Sequence, residues 1–345
     1  MTSSSELPVA IAMSGGVDSS VAVLLTQKTK RPVMGITMVL HGQHHVAARN
    51  AKKISHQLGI EHHIIDLSHD FQEQVLIPYM EEYRSGRTPN PCILCNARIK
   101  FGILFHKARE LGAKVLATGH YACLGVSACG SHLTFYRPSR GIPDETYFLY
   151  AIPSEIRSHL LFPLGGKSKE EVRALAKDAT LRCHDQPSSQ DTCFPDHIWR
   201  EHCTRQWSVF DETGRYLGKT PPLSRVTLGQ RRGLGLSLGD KRYVVRVDSL
   251  QGTLIMSSRE GVYAKRLTAC DMVWSSGNPP ARTFQIEAKA RYNQELSGAV
   301  VFAKSAKHAE IIFNEPQRSI APGQSVVLYQ GRELVGGGII EKVLD

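Results

Sequence analysis

Residues 8–28 read PVAIAMSGGVDSSVAVLLTQK. An apolar run of strand length leads into a turn holding Gly15 and Gly16, and apolar residues then recur at helical spacing. A strand feeding a helix through a glycine turn gathers unpaired backbone N–H groups and the positive end of the helix dipole at one point, which favours an anion. The two glycines let the backbone bend and approach a phosphate with no Cβ in the way. Ser14, Ser19 and Ser20 add hydroxyl donors, and Asp18 suits either a helix cap or a Mg2+ ligand. No Gly-Lys-Ser/Thr follows, and the G-x-G-x-x-G spacing of dinucleotide loops is absent.

Outward from this turn the alternation continues. RPVMGITMVL reads as a second strand, AARNAKKISHQLGI as a helix ending at Gly59, and EHHIIDL as a third strand. ARIKFGILFHKARELGA is a further helix, KVLATGHYA a strand, and GKSKEEVRALAKDA another helix. Alternating strands and helices predict a doubly wound parallel sheet with helices on both faces. QPSSQDTCFPD reads as a polar loop. Beyond about residue 205 short strands and turns take over, as in LGDKRYVVRVD, GTLIMSS, TFQIEAKARY and QSVVLYQGRELVGGGII. The expectation is an α/β domain over 1–200, a small β-rich domain over 201–272 and a β-barrel over 273–345.

The composition is that of an ordinary globular chain, with 41% hydrophobic and 21% charged residues among 345. No apolar run approaches a membrane span, and the first eight residues lack the pattern of a signal peptide, so a cytoplasmic location is expected. The net charge is +10, and residues 199–345 carry +7 of it, a distribution that suits a polyanion. A disulfide framework is not expected for the eight cysteines in such a chain. Metal binding or thiol chemistry remains open for the pair Cys92 and Cys95, although a zinc site built from four thiolates lacks its second pair. His41, His44, His45, His62, His63 and His69 read as surface loop residues rather than a metal cluster.

SGGVDSS after the first strand resembles the PP-loop of ATP pyrophosphatases, which cleave ATP between its α and β phosphates. That resemblance implies the adenine-nucleotide α-hydrolase type of fold. It implies a nucleotide site at Ala12, Met13, Ser14, Gly15, Gly16, Val17, Asp18 and Ser19, with Met38 at the adenine and Gly119 along the nucleotide. The ordered set TPNPCILCNARIKF (88–101), ATGHYA (117–122), DETYFL (144–149), LGGKSKEEVRALA (164–176), SSQDTCF (188–194), LGQRRGLGL (228–236), ARYNQ (290–294) and GQSVVLYQGRELVGGGII (323–340) closely resembles the tRNA-specific 2-thiouridylases. The resemblance spans nearly the whole chain. It implies ATP- and Mg2+-dependent thiolation of the wobble uridine, position 34, in tRNAs for Lys, Glu and Gln. Sulfur would come from a cysteine desulfurase or a sulfur-relay protein.

By the same resemblance Cys193 carries a persulfide, and Cys95 is the second thiol that frees the sulfur and ends in a disulfide with Cys193. If Cys95 begins its helix, the helix terminus would enrich its thiolate. Asn90, Pro91 and Cys92 would lie beside the target base, with Cys92 standing where many relatives have Asp. Cys92, Cys95 and Cys193 together could instead hold a 4Fe–4S cluster with one open iron. His120, Asp144, Glu145, Arg291, Tyr292 and Gln324 are implied tRNA contacts, Glu145 replacing a common Gln. Arg231, Arg232 and Lys100, the last on a basic helix edge, suit phosphate contacts.

Overall fold

A computed structural model describes residues 7–42, 44–139, 141–185, 205–223, 226–258 and 260–344. These fall into two compact units. One comprises the described residues of Met1–Val75, Cys92–Asp191 and Arg332–Leu334, the other those of Leu76–Pro91, Thr192–Gly331 and Val335–Asp345.

The first unit is built on a five-stranded sheet. Its strands are β1 (Val9–Ala12), β2 (Val33–Val39), β3 (Glu61–Asp66), β4 (Val115–Thr118) and β7 (Leu160–Leu161), ordered β3-β2-β1-β4-β7 and parallel throughout. Val9, Ala10 and Ile11 are fully buried, as a central parallel strand covered on both faces requires. Helix α1 (Val17–Gln27) lays Val21, Ala22 and Val23 into the same core, and α2 (His44–Gln57) adds Ala51 and Ile54. Each fully buried valine or isoleucine here contributes roughly 1.5–3 kcal/mol. Helix α3 (Lys169–Asp178) starts at a capping box, in which Ser168 Oγ accepts the Glu171 N–H and Glu171 accepts the Ser168 N–H.

The chain passes from β1 through α1 to β2 on one side, and β4 later pairs with β1 on the other. Ala12 therefore lies between Ile36 and Thr118, and the carboxyl ends of three strands diverge at this point. Doubly wound sheets bind ligands at such a switch point.

The helix carrying Cys95 runs through Pro91–Leu94, Cys95–Ile103 and Leu104–Glu110. Its middle section is widened to π-type turns, with the Leu104 N–H reaching the Ile99 carbonyl five residues back. Because the helix begins at Pro91, Cys92 occupies the first turn and Cys95 does not. The anticipated enrichment of the Cys95 thiolate by a helix terminus therefore loses its basis.

A hairpin of β5 (Cys123–Val126) and β6 (Leu133–Tyr136) completes this unit and was not legible in the sequence. Arg157 is fully buried beside it. Its guanidinium donates to the Leu133 and Ile152 carbonyls at 3.0 Å each and lies 5.4 Å from the Phe135 ring centre.

The second unit holds two β structures. In the first, β8 (Ser208–Asp211), β9 (Tyr216–Lys219), β10 (Tyr243–Asp248) and β11 (Thr253–Ser257) take the order β10-β11-β8-β9. In the second, β12 (Tyr263–Trp274), β13 (Thr283–Lys289), β14 (Ser297–Ala303), β15 (Ala309–Arg318), β16 (Ser325–Gln330) and β17 (Glu333–Leu344) follow the order β12-β15-β14-β13-β16-β17. Pairing of β12 with β17 closes this into a barrel, which removes its free edges. Leu267, Trp274, Val301, Ile311, Phe313 and Leu328 fill it. Strand β12 escaped the sequence reading because its register against β17 shifts between Cys270 and Val273, where Asp271 adopts a φ of 49°. Such a bulge breaks the two-residue alternation by which strands are recognised.

One further reading is corrected. His44 and His45 sit on α2, and His62 and His63 on β3, so these four are not loop residues. His62 is half-buried with Nε2 2.8 Å from Thr37 Oγ1, and burial lowers its pKa. The segment QPSSQDTCFPD lies outside the described residues, and Cys193 with it.

Arg157→Ala is expected to destabilise the α/β unit by about 3 kcal/mol or more, through the cavity it leaves and two carbonyls deprived of their donor. A urea unfolding midpoint that does not move would contradict this role.

Candidate active site

Gly15 has φ +77°, and a Cβ there would stand 2.9 Å from the Ala47 carbonyl oxygen and 3.0 Å from the Ala51 nitrogen of α2. Only glycine fits both the conformation and the space. Gly16 is the residue before α1 and provides no side-chain cap, so the first turn of α1 presents its N–H groups outward, as an anion site needs. Ser14 is exposed on the turn. Its N–H donates to Ser19 Oγ at 3.2 Å, and its own Oγ accepts the Gly16 N–H at 3.4 Å.

The three serines are not equivalent. Ser20 is fully buried, and its hydroxyl donates to the Gly16 carbonyl at 2.8 Å. It holds the helix start together instead of facing a ligand, contrary to the donor role read for it. Ser19 is nearly buried and donates to the same carbonyl at 3.2 Å. Ser14 alone of the three is exposed.

Asp18 does not cap the helix. Tyr121 Oη donates to its Oδ1 at 2.7 Å, and Lys169 Nζ donates to its Oδ2 at 2.8 Å. The same ammonium lies 4.1 Å from the centre of the Tyr121 ring. Burial first, and then the Asp18 acceptor, push the Tyr121 phenol far above its usual pKa, so the hydroxyl stays protonated and donates. The Tyr121 N–H in turn donates to Glu145 Oε2 at 2.9 Å. Burial raises the Glu145 pKa against the opposing pull of that N–H. Gly119 packs on the start of α1, where a Cβ would come 3.0 Å from the Ser19 nitrogen.

Met13 is buried, its carbonyl accepting the Thr37 hydroxyl at 2.8 Å and its sulfur lying 3.3 Å from Ser55 Oγ. Met38 is half-buried near the carboxyl end of β2, two residues beyond Ile36, the partner of Ala12. Ala12, Met13, the turn 14–19, Met38 and Gly119 thus all belong to one edge of one sheet.

A second polar chain runs beside it. Asn96 Nδ2 donates to the Phe148 carbonyl at 3.1 Å, Lys100 Nζ donates to Asn96 Oδ1 at 2.9 Å, and Lys100 Nζ lies 3.4 Å from His120 Nε2. His120 Nδ1 is 2.8 Å from Thr118 Oγ1. An ammonium can only donate, so Nε2 accepts and Nδ1 carries the proton. The ring lies between Phe101 and Phe162, with centroids at 5.8 and 6.3 Å. Burial, followed by the Lys100 charge, holds the His120 pKa well below the ordinary imidazole value. Lys100 therefore points at Asn96 and His120, not along an outer basic edge. Cys95 is buried on the same helix, and Cys92 is half-buried one turn earlier.

Tyr121, Lys169 and Asn96 were not assigned roles from the sequence. Asn96 and Lys100 are four residues apart on a helix, a spacing that could have flagged their contact. The approach of Lys169 to Asp18 joins residues 151 apart and has no local signal.

Asp144 accepts from Arg137 Nε at 2.7 Å and from the Thr146 N–H and hydroxyl at 3.1 and 2.6 Å. In the second unit, Arg291 Nη2 donates to the Leu228 carbonyl at 3.0 Å, Tyr292 is half-buried, and Gln324 Nε2 donates to the Thr88 carbonyl at 2.8 Å. Pro91 is buried and Asn90 half-buried in the same unit, Arg231 is half-buried and Arg232 exposed. Among the described residues no group of three or more His, Cys, Asp or Glu side chains is placed to hold a metal. Nor is any described helix long and apolar enough to cross a membrane.

His120 is expected to remain neutral at pH 6.5, where a free imidazole is half-protonated, as read by ring-nitrogen chemical shifts. Its folded pKa is depressed, so the folded state binds fewer protons than the unfolded. The stability this group contributes is therefore whole above 6.5 and is lost as pH falls below it. Gly15→Ala should cost about 1–3 kcal/mol in stability and weaken nucleotide binding, measured by denaturant unfolding and by nucleotide titration.

Residues 7–197 match the tRNA methyl transferase HUP domain family, and residues 264–340 match the aminomethyltransferase beta-barrel domain. The tRNA-specific 2-thiouridylase MnmA of Halothermothrix orenii is 38% identical over 97% of this chain and 99% of its own length. That of Clostridioides difficile is 34% identical over 97% of this chain and 98% of its own. Among solved structures, the U34-tRNA thiolase NcsA from Methanococcus maripaludis with its 4Fe–4S cluster matches 57% of this chain and 68% of its own, at 19% identity and a TM-score of 0.37. That last likeness is too weak to bear on function, whereas the full-length identity is decisive: the chain belongs to the tRNA-specific 2-thiouridylase family.

Proposed function

We infer that this protein is a tRNA-uridine 2-sulfurtransferase, acting with ATP on uridine 34 of tRNAs for Lys, Glu and Gln in the cytoplasm. The observation that carries this reading is identity of 38% over 97% of the chain to a 2-thiouridylase. The glycine turn before an uncapped helix at a sheet switch point supports the ATP half of the chemistry. In this reading residues 1–200 carry catalysis, and the modules over 201–272 and 273–345 grip the tRNA.

A uracil carbonyl oxygen is a poor leaving group. The O2 oxygen attacks the α-phosphorus of ATP, the bond to the bridging oxygen breaks, and pyrophosphate departs. The α1 N–H groups and Ser14 bind phosphate oxygens, and Lys169 supplies positive charge beside them. Mg2+ commonly binds one or two carboxylates together with substrate phosphates, and Asp18, part-exposed but accepting from Tyr121 and Lys169, would hold the ion only by releasing the Lys169 ammonium to the phosphates. When bound, Mg2+ would neutralise charge on the departing pyrophosphate.

The terminal sulfur of a persulfide on Cys193 then attacks C2, the C2–O bond breaks, and AMP leaves. The Cys95 thiolate attacks the Cys193 sulfur. The S–S bond breaks, the outer sulfur stays on C2 as the thiocarbonyl, and a Cys95–Cys193 disulfide forms. A dithiol reductant resets the pair, and a cysteine desulfurase or sulfur-relay protein reloads it. Asn90, Pro91 and Cys92 face the target base, while His120, Asp144, Glu145, Arg291, Tyr292 and Gln324 meet the tRNA. An alternative route through a 4Fe–4S cluster on Cys92, Cys95 and Cys193 has its motive in the third cysteine.

The test supplies unmodified tRNA, ATP, Mg2+, a persulfide donor and a dithiol reductant, and measures 2-thiouridine by mass after digestion. Cys95→Ser and Cys193→Ser should each lose about a thousandfold or more in rate, while Cys92→Ser keeps most of it. Loss in all three variants, tracking lost iron, would route sulfur through the cluster. No product from the wild type with any sulfur source would refute the assignment.

A further inference from the structure

The second unit contains a clasp that no catalytic role explains. Residues 87–89, just ahead of Asn90 and Pro91, are hydrogen-bonded at every position to the barrel. Arg87 sends its two terminal nitrogens to the Glu341 and Ile340 carbonyls of β17 at 3.4 Å each, while its Nε is held by Glu82 at 2.7 Å. The Thr88 N–H donates to the Pro322 carbonyl at 2.7 Å. The Gln324 amide nitrogen donates to the Thr88 carbonyl at 2.8 Å and reaches the Pro89 carbonyl at 3.5 Å.

The turn that makes this seat is itself specified. Gly323 has φ +89°, and a Cβ on it would meet the Thr88 nitrogen at 2.9 Å and the Arg87 Cβ at 3.1 Å. Its N–H donates to the Ile340 carbonyl, and the Ile340 N–H donates to the Gln324 carbonyl, both at 2.8 Å, so the turn is pinned to β17. Thr88 is 6% exposed, whereas Gln324 is half-buried. A buried carbonyl left without its donor is costly, so Gln324 fixes the path of the backbone at Thr88 and Pro89.

We infer that Gln324 is a positioning residue: its amide nitrogen holds the Arg87–Thr88–Pro89 segment on the barrel and thereby sets Asn90 and Pro91 for the target base. This rests on the proposed placement of Asn90 and Pro91 at that base, and it adds a task that is separate from any contact Gln324 makes with tRNA. A residue that only gripped tRNA would govern affinity. One that aims the 88–91 backbone governs the rate once tRNA is bound, because small misplacement of reacting groups is expensive.

Gln324→Met keeps the length of the side chain and removes its donor. It is expected to speed hydrogen exchange at the Thr88 amide about tenfold and to lower kcat for 2-thiolation about tenfold even at saturating tRNA, where any loss of affinity is masked. Gly323→Ala, which disturbs the same seat without altering the Gln324 side chain, should reproduce the pattern. A weakened Kd with kcat restored at saturating tRNA would overturn the inference, as would an unchanged Thr88 exchange rate. The exchange measurement needs no catalysis. A wild type that makes no 2-thiouridine would thus strike the assigned function while the clasp is still read on its own.

Discussion

The hydrogen bond from Tyr121 to Asp18 joins the segment after one strand to the first turn of the helix that follows the glycine turn. Tyr121 lies three residues past β4, and Asp18 is the second residue of α1. The bond fixes one carboxylate oxygen, leaves the other to Lys169, and places the Lys169 ammonium over the same ring. Three segments distant in sequence are thereby registered on one acidic side chain. Because the phenol is buried, its proton stays in place and the orientation of Asp18 does not wander with pH in the neutral range.

That local arrangement is tolerable only because the sheet brings the segments together. Parallel pairing of β1 with both β2 and β4 aligns Ala12 with Ile36 and Thr118, so the residues that follow each strand emerge at one edge. Gly15 and Gly119 then remove the Cβ atoms that would hold α2 away from the glycine turn and the 119 turn away from α1. The anion site proposed at this edge rests on backbone geometry more than on any single side chain, and two of the three serines are turned inward to support the turn.

The neighbouring polar chain from Phe148 through Asn96 and Lys100 to His120 shows a different use of burial. Burial first, and then the neighbouring lysine charge, keep the imidazole neutral, and the lysine as donor selects one tautomer. The chain links the Cys95 helix to the TGHYA turn within the same unit, so the helix that carries the thiol is tied by side-chain hydrogen bonds to the carboxyl end of β4. The barrel supplies a comparable support for the residues ahead of Asn90, through its own glycine turn.

Local patterns carried much of this in the sequence. The strand, glycine turn and helix of residues 8–28 were legible because period and composition are local properties, and so were most strands of the barrel. The bulged strand β12 and the hairpin β5–β6 were not, since a left-handed Asp271 and short, partly exposed strands erase the alternation. The helix start at Pro91 moved the first turn from Cys95 to Cys92, a boundary of the kind that periodicity locates poorly. By itself the sequence determined which motifs exist and which family they belong to. Only the tertiary structure decided that Lys169 and Tyr121 share Asp18, that Lys100 faces His120 and that Gln324 holds Thr88, because each contact joins residues whose separation along the chain leaves no periodic trace.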